Sequence, residues 1–489
     1  MSMGQSIHSS VGWLFVGNTG RHVLTFLFGI VLARLLAPED FGALITIQVF
    51  TGLAGFFAGG GMGQALIRAK QVTAQDYDVV FTLQLIIGCS IYLVFYLASP
   101  WFADWYQNPV YRDLLRVSAL SFVYRPFVNL PNNILHRAMR FKGQSIVAFA
   151  SLTASSTASI VMAQAGLGVW SLVWGGIVGA IVNAILLAPL AKWRPRLSLD
   201  LRRGRDIAKT GLLFSISDVV YYLRSQSSAF ILSHTLGPAS VGLFNKGESL
   251  ARMPHAFVTG SVYPVLFRAL AAEQDNLDRC RYLLFRSIAL VAVYATPFYV
   301  GLLWLGEPLV RGLYGPRWAE AAGPLTVLAL AWPFWLMGNL SGNLLTARNW
   351  LTREVFVQVV SLVVTCLAIL IGLPHGIQGV AWAIVGVTML TAAYQYWLAT
   401  RCIRARPSQF LVAVAPAIAL NFLLMLVLTV TEWLLPVELR KNDYWYVILM
   451  AAAGGLVYTI SFLYLPFREL DAEQRRWKSK LRLSALSRQ

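Results

Sequence analysis

What most constrains this chain is a succession of apolar windows separated by short polar loops. Each window runs to roughly 17–25 residues, long enough to cross about 30 Å of hydrocarbon. Fourteen spans can be placed: 11–33, 42–66, 79–99, 114–135, 145–165, 169–190, 208–234, 250–270, 284–306, 323–345, 354–373, 376–399, 409–431 and 445–466. Only 13% of residues are charged, against roughly 25% in soluble proteins. So many spans exclude an enzyme held by one anchor, and the expected fold class is an all-α polytopic membrane protein. Spans 114–135, 208–234 and 250–270 are interrupted by charge or proline. A broken span needs protein or water around it, because lipid offers its backbone no hydrogen bonds.

The net charge of +18 would suit nucleic acid if it were gathered on one soluble surface. Instead it falls into alternate loops. One side receives Arg68 and Lys70, then Arg137, Arg140 and Lys142, then the run Lys192–Lys209, then Arg268, Arg279, Arg281 and Arg286. It continues with Arg348, Arg353, Arg401, Arg404 and Arg406. Positive loops mark the cytoplasmic side, so both termini are expected there and no nucleic-acid partner is expected. The four cysteines form no disulfide pattern, and residues 1–10 lack the positive start of a cleavable leader. The basic tail after Arg468 is expected to lie on anionic phospholipids, and Ala271–Arg286 to form an interfacial helix. The loop Pro100–Tyr106 is rich in rings, which suit either a headgroup belt or a sugar-stacking platform. Asp76 and Asp78, two apart, read more simply as a helix cap than as a metal motif.

The sequence pattern starts twice. Leu36-Ala37-Pro38 with Gly42 is echoed by Leu236-Gly237-Pro238 with Gly242. Gly168-Val169-Trp170 is echoed in order by Gly379-Val380-Ala381, each opening a span. Two ordered echoes predict a duplication of six-span lobes, with a cytoplasmic joint between them. The expected organisation is residues 1–190, a basic hinge 191–207, 208–400, an added pair of spans in 401–467, and a tail 468–489. Parallel repeats of this kind suit alternating access. Gly59, Gly60, Gly61 and Gly63, and the pair Gly175/Gly179, read chiefly as close helix packing.

Charges inside the spans carry the functional signal. Asn18, Arg21, His22 and Thr25 recur at helical spacing and share one face. An arginine at that depth costs several kcal/mol in lipid, so this face should meet a cavity or a partner. Span seven adds Asp218, Tyr221, Tyr222, Arg224 and Gln226; Arg125 and Arg252 lie in spans four and eight. Cations outnumber acids, which favours an anionic substrate such as a phosphate or diphosphate. The plainer alternatives are an ion pair of Arg224 with Asp218 and arginines reaching for the interface. Asp218 is also the candidate for a coupling cation or proton. No Walker sequence, HExxH or Cys/His cluster is present, so neither a catalytic centre nor a cofactor is expected.

The chain resembles the polysaccharide transporter family of the multidrug/oligosaccharidyl-lipid/polysaccharide superfamily, in its colanic-acid and exopolysaccharide flippase branch. The resemblance covers residues 8–466 and rests on Gly12-Trp13, Arg21, Val31–Gly42, Phe57–Ile67, Asn132, His136, Arg137, Met139, Phe141, Lys142, and Gly166 to Leu172. It implies two six-helix lobes around a cationic cavity, with Arg21 as the first-span arginine and Arg224 or Arg252 serving the second lobe. The implied substrate is an undecaprenyl-diphosphate-linked oligosaccharide repeat unit, flipped outward across the bacterial inner membrane with polymerase and export partners downstream. Coupling to sodium or protons belongs to the same expectation. Two alternatives share the superfamily: a peptidoglycan-precursor (lipid II) flippase, which also has the extra pair of spans, and an ion-coupled drug or metabolite antiporter.

Overall fold

The computed structural model describes residues 20–59, 61–467 and 469–481, and the side chains of 201–203, 206, 210–218 and 221, among others, lie outside the description. The chain forms two compact units, Met1–Gly242 and Leu243–Gln489.

In the first unit, residues 20–35 form helix α1. It is followed by α2 (Pro38–Gly59), α3 (Met62–Arg68), α4 (Ala74–Trp105), α5 (Val110–Ala119), α6 (Ser121–Arg137), α7 (Phe141–Gln164), α8 (Val169–Ala191) and α9 (Leu201–Thr235). The boundaries follow local chemistry. Pro38 opens α2, and Asp40 Oδ2 accepts from Ala37 N at 3.0 Å; proline fits a first turn, whose amide would lack a partner anyway. Thr73 and Asp76 form a reciprocal capping box on α4, so the acid pair Asp76/Asp78 includes a cap as the simpler reading expected. Span two divides into α2 and α3 at its glycines, with Gly61 at φ 60°. Span four divides into α5 and α6 around Leu120. Arg137 then terminates α3, its Nη1 donating to Leu66 O at 2.7 Å and Ala69 O at 2.6 Å. α7 and α8 pack through small residues: a Cβ on Gly175 would meet Ser159 Oγ at 1.9 Å, and one on Gly179 would meet Ser155 Cβ at 2.7 Å.

In the second unit the chain continues from α10 (Gly237–Ala272) through α11 (Leu277–Tyr314), a 3-10 turn (Pro316–Ala321), α12 (Ala322–Ala347), α13 (Leu351–Gly372), α14 (Gly376–Cys402), α15 (Gln409–Leu434), α16 (Val437–Lys441), α17 (Asp443–Tyr464) and α18 (Asp471–Lys480). The added pair α15 and α17 is bound to α11. Trp304 Nε1 donates to Glu432 Oε2 at 2.9 Å, Tyr458 Oη donates to Val293 O at 2.6 Å, and Arg311 pairs with Asp443 at 3.2 Å.

This is a multi-pass membrane protein, and the described residues of the fourteen spans lie almost wholly on helices. Nine stretches of the described residues are long and apolar enough to cross a bilayer, one of them, Thr352–Cys402, holding both α13 and α14. Leu97, Ile371 and Phe422 stand exposed on these helices, as lipid-facing side chains do. α6, α9 and α10 are absent from those nine, and they are the helices that carry Arg125, Arg224 and Arg252.

One expectation changes. Ala271–Arg286 makes no separate interfacial helix: it is the end of α10 and the start of α11, divided where Asn276 Oδ1 caps Arg279 N at 3.1 Å. The described tail is docked on protein as α18, with Gln474 Nε2 donating to Phe462 O at 2.8 Å and Leu465 O at 2.7 Å, and Trp477 Nε1 to Tyr294 Oη at 2.7 Å. Its Arg475, Arg476 and Lys480 remain outward. The basic run is also tied down. Trp193 Nε1 donates to Asp78 Oδ1 at 3.3 Å, and Ser198 N to Thr82 Oγ1 at 2.9 Å. α9 packs on α2, α3 and α4, so the first compact unit extends past the lobe boundary read from the sequence.

Candidate functional site

α2 and α3 present glycines at Gly52, Gly55, Gly59 and Gly63. Gly52, Gly55 and Gly59, three or four apart, share a face of α2, Gly63 follows on α3 beyond the break at Gly61, and both helices receive polar side chains. A Cβ on Gly52 would lie 1.9 Å from Tyr222 Oη of α9; one on Gly55 would lie 2.0 Å from Arg125 Nη1; one on Gly63 would lie 2.3 Å from Asn133 Nδ2, both on α6. Gln84 Nε2 of α4 reaches Gly59 O at 3.4 Å. The glycines thus create recesses for a polar column, a role beyond the helix packing expected from their spacing.

Arg125 is the centre of this column. It is partly buried, its guanidinium carbon stands 5.2 Å over the Phe122 ring, and the hydroxyls of Tyr124 and Tyr222 lie within its electrostatic reach. Tyr222 Oη is fixed by donating to Gln48 O at 2.8 Å, with Val49 O at 3.1 Å. Among the described residues no carboxylate forms an ion pair with Arg125. A cation in a membrane interior needs compensation; here it comes from a ring face and oxygen dipoles, and the guanidinium keeps its net positive charge.

The other sequence-predicted residues are distributed differently. Arg21 and His22 stand exposed on α1 with Thr25. Asn18 lies outside the described residues, and so do the side chains of Asp218 and Tyr221; their helix α9 is described. Arg224, partly buried, follows Tyr222 on α9. In the second unit, Arg252 Nη2 pairs with Glu248 Oε1 one turn earlier at 2.6 Å, with its guanidinium 5.8 Å over Trp332. Its charge is therefore already balanced, unlike that of Arg125. Lys246 sits over Tyr314 at 5.0 Å and Trp318 at 5.5 Å, and Trp318 is fully buried. Sequence reading noted Tyr222 among the polar residues of span seven but passed over Gln84 and Asn133; the glycine spacing on α2 was the signal that could have pointed to them.

The segment Pro100–Tyr106, read as a loop from the sequence, is the last part of α4 up to Trp105, with Tyr106 as its cap, and its rings pack against one another and against α2. Phe50 stacks edge-on against Phe102 at 5.0 Å, and Tyr106 Oη shares a hydrogen bond with Ser233 at 3.1 Å. Trp101, 80% exposed, points outward. A continuous sugar platform is not formed by rings that bury each other's faces.

The second unit holds an apolar cavity of about 620 Å³ between α11, α15 and α17. Pro297, Phe298, Leu424, Met450 and Gly454 contribute to its wall, and Trp477 and Leu481 bound it at the α18 end.

A family model described as "Polysaccharide biosynthesis protein" matches residues 31–323. The succinoglycan biosynthesis transport protein ExoT of Rhizobium meliloti (strain 1021) is 24% identical over 327 residues, 67% of this chain and 66% of its own. The lipopolysaccharide biosynthesis protein WzxC of Escherichia coli (strain K12) is 22% identical over 350 residues, 71% of each chain. Among solved structures, the lipid II flippase MurJ in an inward closed conformation matches with TM-score 0.73 at 15% identity, covering 92% of this chain and 98% of that one.

Proposed function

Since the chain belongs to the polysaccharide biosynthesis protein family, we propose that it flips a lipid-linked oligosaccharide repeat unit across the bacterial inner membrane by alternating access. The substrate is an undecaprenyl-diphosphate-linked oligosaccharide, taken from the cytoplasmic leaflet and delivered to the periplasmic one, and both termini are cytoplasmic. The observation that carries this reading is Arg125, a span-embedded cation set in a glycine recess with no carboxylate partner among the described residues. A diphosphate supplies the missing negative charge, and arginine's planar fork suits it. Arg21 and Arg224 are the further anion contacts. The apolar cavity beside α11 offers the polyprenyl chain a surface that costs it no desolvation. The related transport protein ExoT and the biosynthesis protein WzxC support a polysaccharide substrate.

The test is a reconstituted flipping assay on a diphosphate-linked oligosaccharide, with lipid II and a cationic drug as competitors. Arg125→Ala should reduce flipping at least about tenfold, equivalent to roughly 1.4 kcal/mol, while membrane insertion is kept. Wild-type flipping by that variant would remove Arg125 from the mechanism. A lipid II flippase is the second reading, favoured by the fold shared with MurJ, and preferential transport of lipid II would establish it.

A further inference from the structure

The turn between α13 and α14 holds a recess that the transport reading does not use. Gly372 ends α13, Leu373–His375 form a 3-10 turn, and Gly376, at φ 66°, starts α14. Gly372 and Gly379 let the two helices meet backbone to backbone. A Cβ on Gly372 would fall 2.5 Å from Gly379 O, and one on Gly379 would fall 2.2 Å from Gly372 O. Beside this corner lies a cavity of about 550 Å³, within the roughly 300–1,000 Å³ of small-molecule sites. Ile371, His375, Gln378 and Trp382 contribute to its wall, and no Asp, Glu, Lys or Arg lines it among the described residues.

His375, Gln378 and Trp382 follow at steps of three and four residues, so they share one face at the start of α14. Trp382 is 55% exposed, and among the described residues its ring has no aromatic neighbour and its indole makes no hydrogen bond. It differs in this from the rings of Pro100–Tyr106, which cover one another. His375 and Gln378 are also exposed, and neither side chain makes a hydrogen bond among the described residues. Gln378 is seated by α12, where a Cβ on Gly323 would fall 2.6 Å from its Nε2.

The chemistry of these groups selects the ligand. A sugar ring carries C–H bonds on its faces and hydroxyls around its rim. The electron-rich face of an indole suits the first; an amide and a neutral imidazole, each able to donate and accept, suit the second. A phospholipid phosphate would meet no cation in this wall, and an acyl chain would leave two polar heads without partners. A tryptophan at a membrane border commonly anchors to headgroups, but an anchor needs neither the recess nor the polar pair. Position agrees with a glycan. α13 starts behind Arg348, and α14 ends at Arg401 with Arg404 and Arg406 following. Positive ends lie on the cytoplasmic side, so the turn between the two helices faces outward.

We propose that this corner of α13 and α14 binds an uncharged sugar residue, stacked on Trp382 and hydrogen-bonded by His375 and Gln378. That the sugar belongs to the exported repeat unit, held as it reaches the outer face, rests on the transport reading above; the binding itself does not.

The experiment uses lipid-free probes, the uncharged trisaccharides cellotriose and maltotriose, with glycerol as the control polyol. Purified full-length protein is held in lipid nanodiscs, because sugar-headed detergents would compete. Saturation-transfer NMR should show magnetisation passing from wild type to the ring C–H protons of at least one trisaccharide and not to glycerol. Trp382→Ala should weaken the apparent affinity at least about tenfold, the usual loss when an anchoring ring is removed, with an unchanged melting temperature. Gln378→Met keeps the length of the side chain and removes its donor and acceptor. It should weaken binding several-fold, and it carries the test if the alanine variant fails to fold. Transfer to neither trisaccharide, or transfer unchanged in both variants, overturns the site. Equal transfer to glycerol is what a headgroup anchor would give, and overturns it too. Flipping by a wild type that binds no sugar would remove this site and leave the proposed function standing. Trp382-dependent sugar binding by a protein that flips no glycolipid would do the reverse.

Discussion

Gly42 and Gly242 occupy matching positions in the two copies of the repeated motif, and each faces the proline carbonyl of the other copy. A Cβ on Gly42 would fall 1.7 Å from Pro238 O, and one on Gly242 would fall 2.0 Å from Pro38 O. The motif detected as an echo along the chain is therefore also a contact in space, at the starts of α2 and α10. Only a residue without a side chain permits backbone this close.

Gly42→Ala and Gly242→Ala should each cost about 1–3 kcal/mol, the usual penalty of forcing a methyl into a packed contact. Gly176→Ala is the control, since a Cβ there meets nothing within 4 Å, and alanine is favoured over glycine inside a helix. Thermal unfolding in detergent measures the contrast; equal melting temperatures for the three variants would contradict it.

Gly55→Ala should separate folding from transport. The atom it meets, Arg125 Nη1 at 2.0 Å, is the far end of a flexible side chain, so the guanidinium can shift and the helices need not. Expression and melting temperature should stay near wild type, while flipping falls by about tenfold, the worth of roughly 1.4 kcal/mol in a displaced contact. A flipping rate equal to wild type would show that the position of Arg125 is unimportant.

Gln474→Ala should release α18. Its amide serves two carbonyls at the end of α17, Phe462 O and Leu465 O, and leaving buried acceptors unsatisfied costs about 1–3 kcal/mol. Limited trypsin digestion, read by mass spectrometry, should then cut after Arg475 or Arg476 several-fold faster than in wild type. An unchanged cleavage rate would mean that other contacts hold the helix.

Cys280 and Cys402 should resist maleimide at pH 7.5. Both side chains are buried, 0% and 6% exposed, so a reagent has no path to them in the folded protein, and apolar surroundings disfavour the thiolate that reacts. Labelling should be at least about tenfold slower than for a free thiol and reach completion in denaturant. Rapid labelling of the folded protein at either position would refute the burial argument.

Much of this architecture was legible because lipid imposes a simple demand, a long apolar helix, on every crossing. All fourteen spans came from that rule, as did the notice taken of Arg21, Arg224 and, as a further candidate, Arg125, charges where charge is expensive. Partners were harder to read. The glycines of α2 look like any close-packing stripe, and only the fold brings Tyr222 and Asn133 to them from α9 and α6. Arg252 and Glu248 are one helical turn apart, so their pairing was visible in the spacing but underweighted. Ala271–Arg286 read as amphipathic because two helix ends, each polar, were taken for one element.

The basic run before α9 is fastened at Trp193 and again at Ser198. From Ser198 to Leu201 only three peptide steps remain, a reach of about 10 Å at full extension. The first turn of α9 is thus on a short leash to α4, however many residues the loop contains. Slack, which lengthening a loop ordinarily supplies, would come here only from letting go of Thr82.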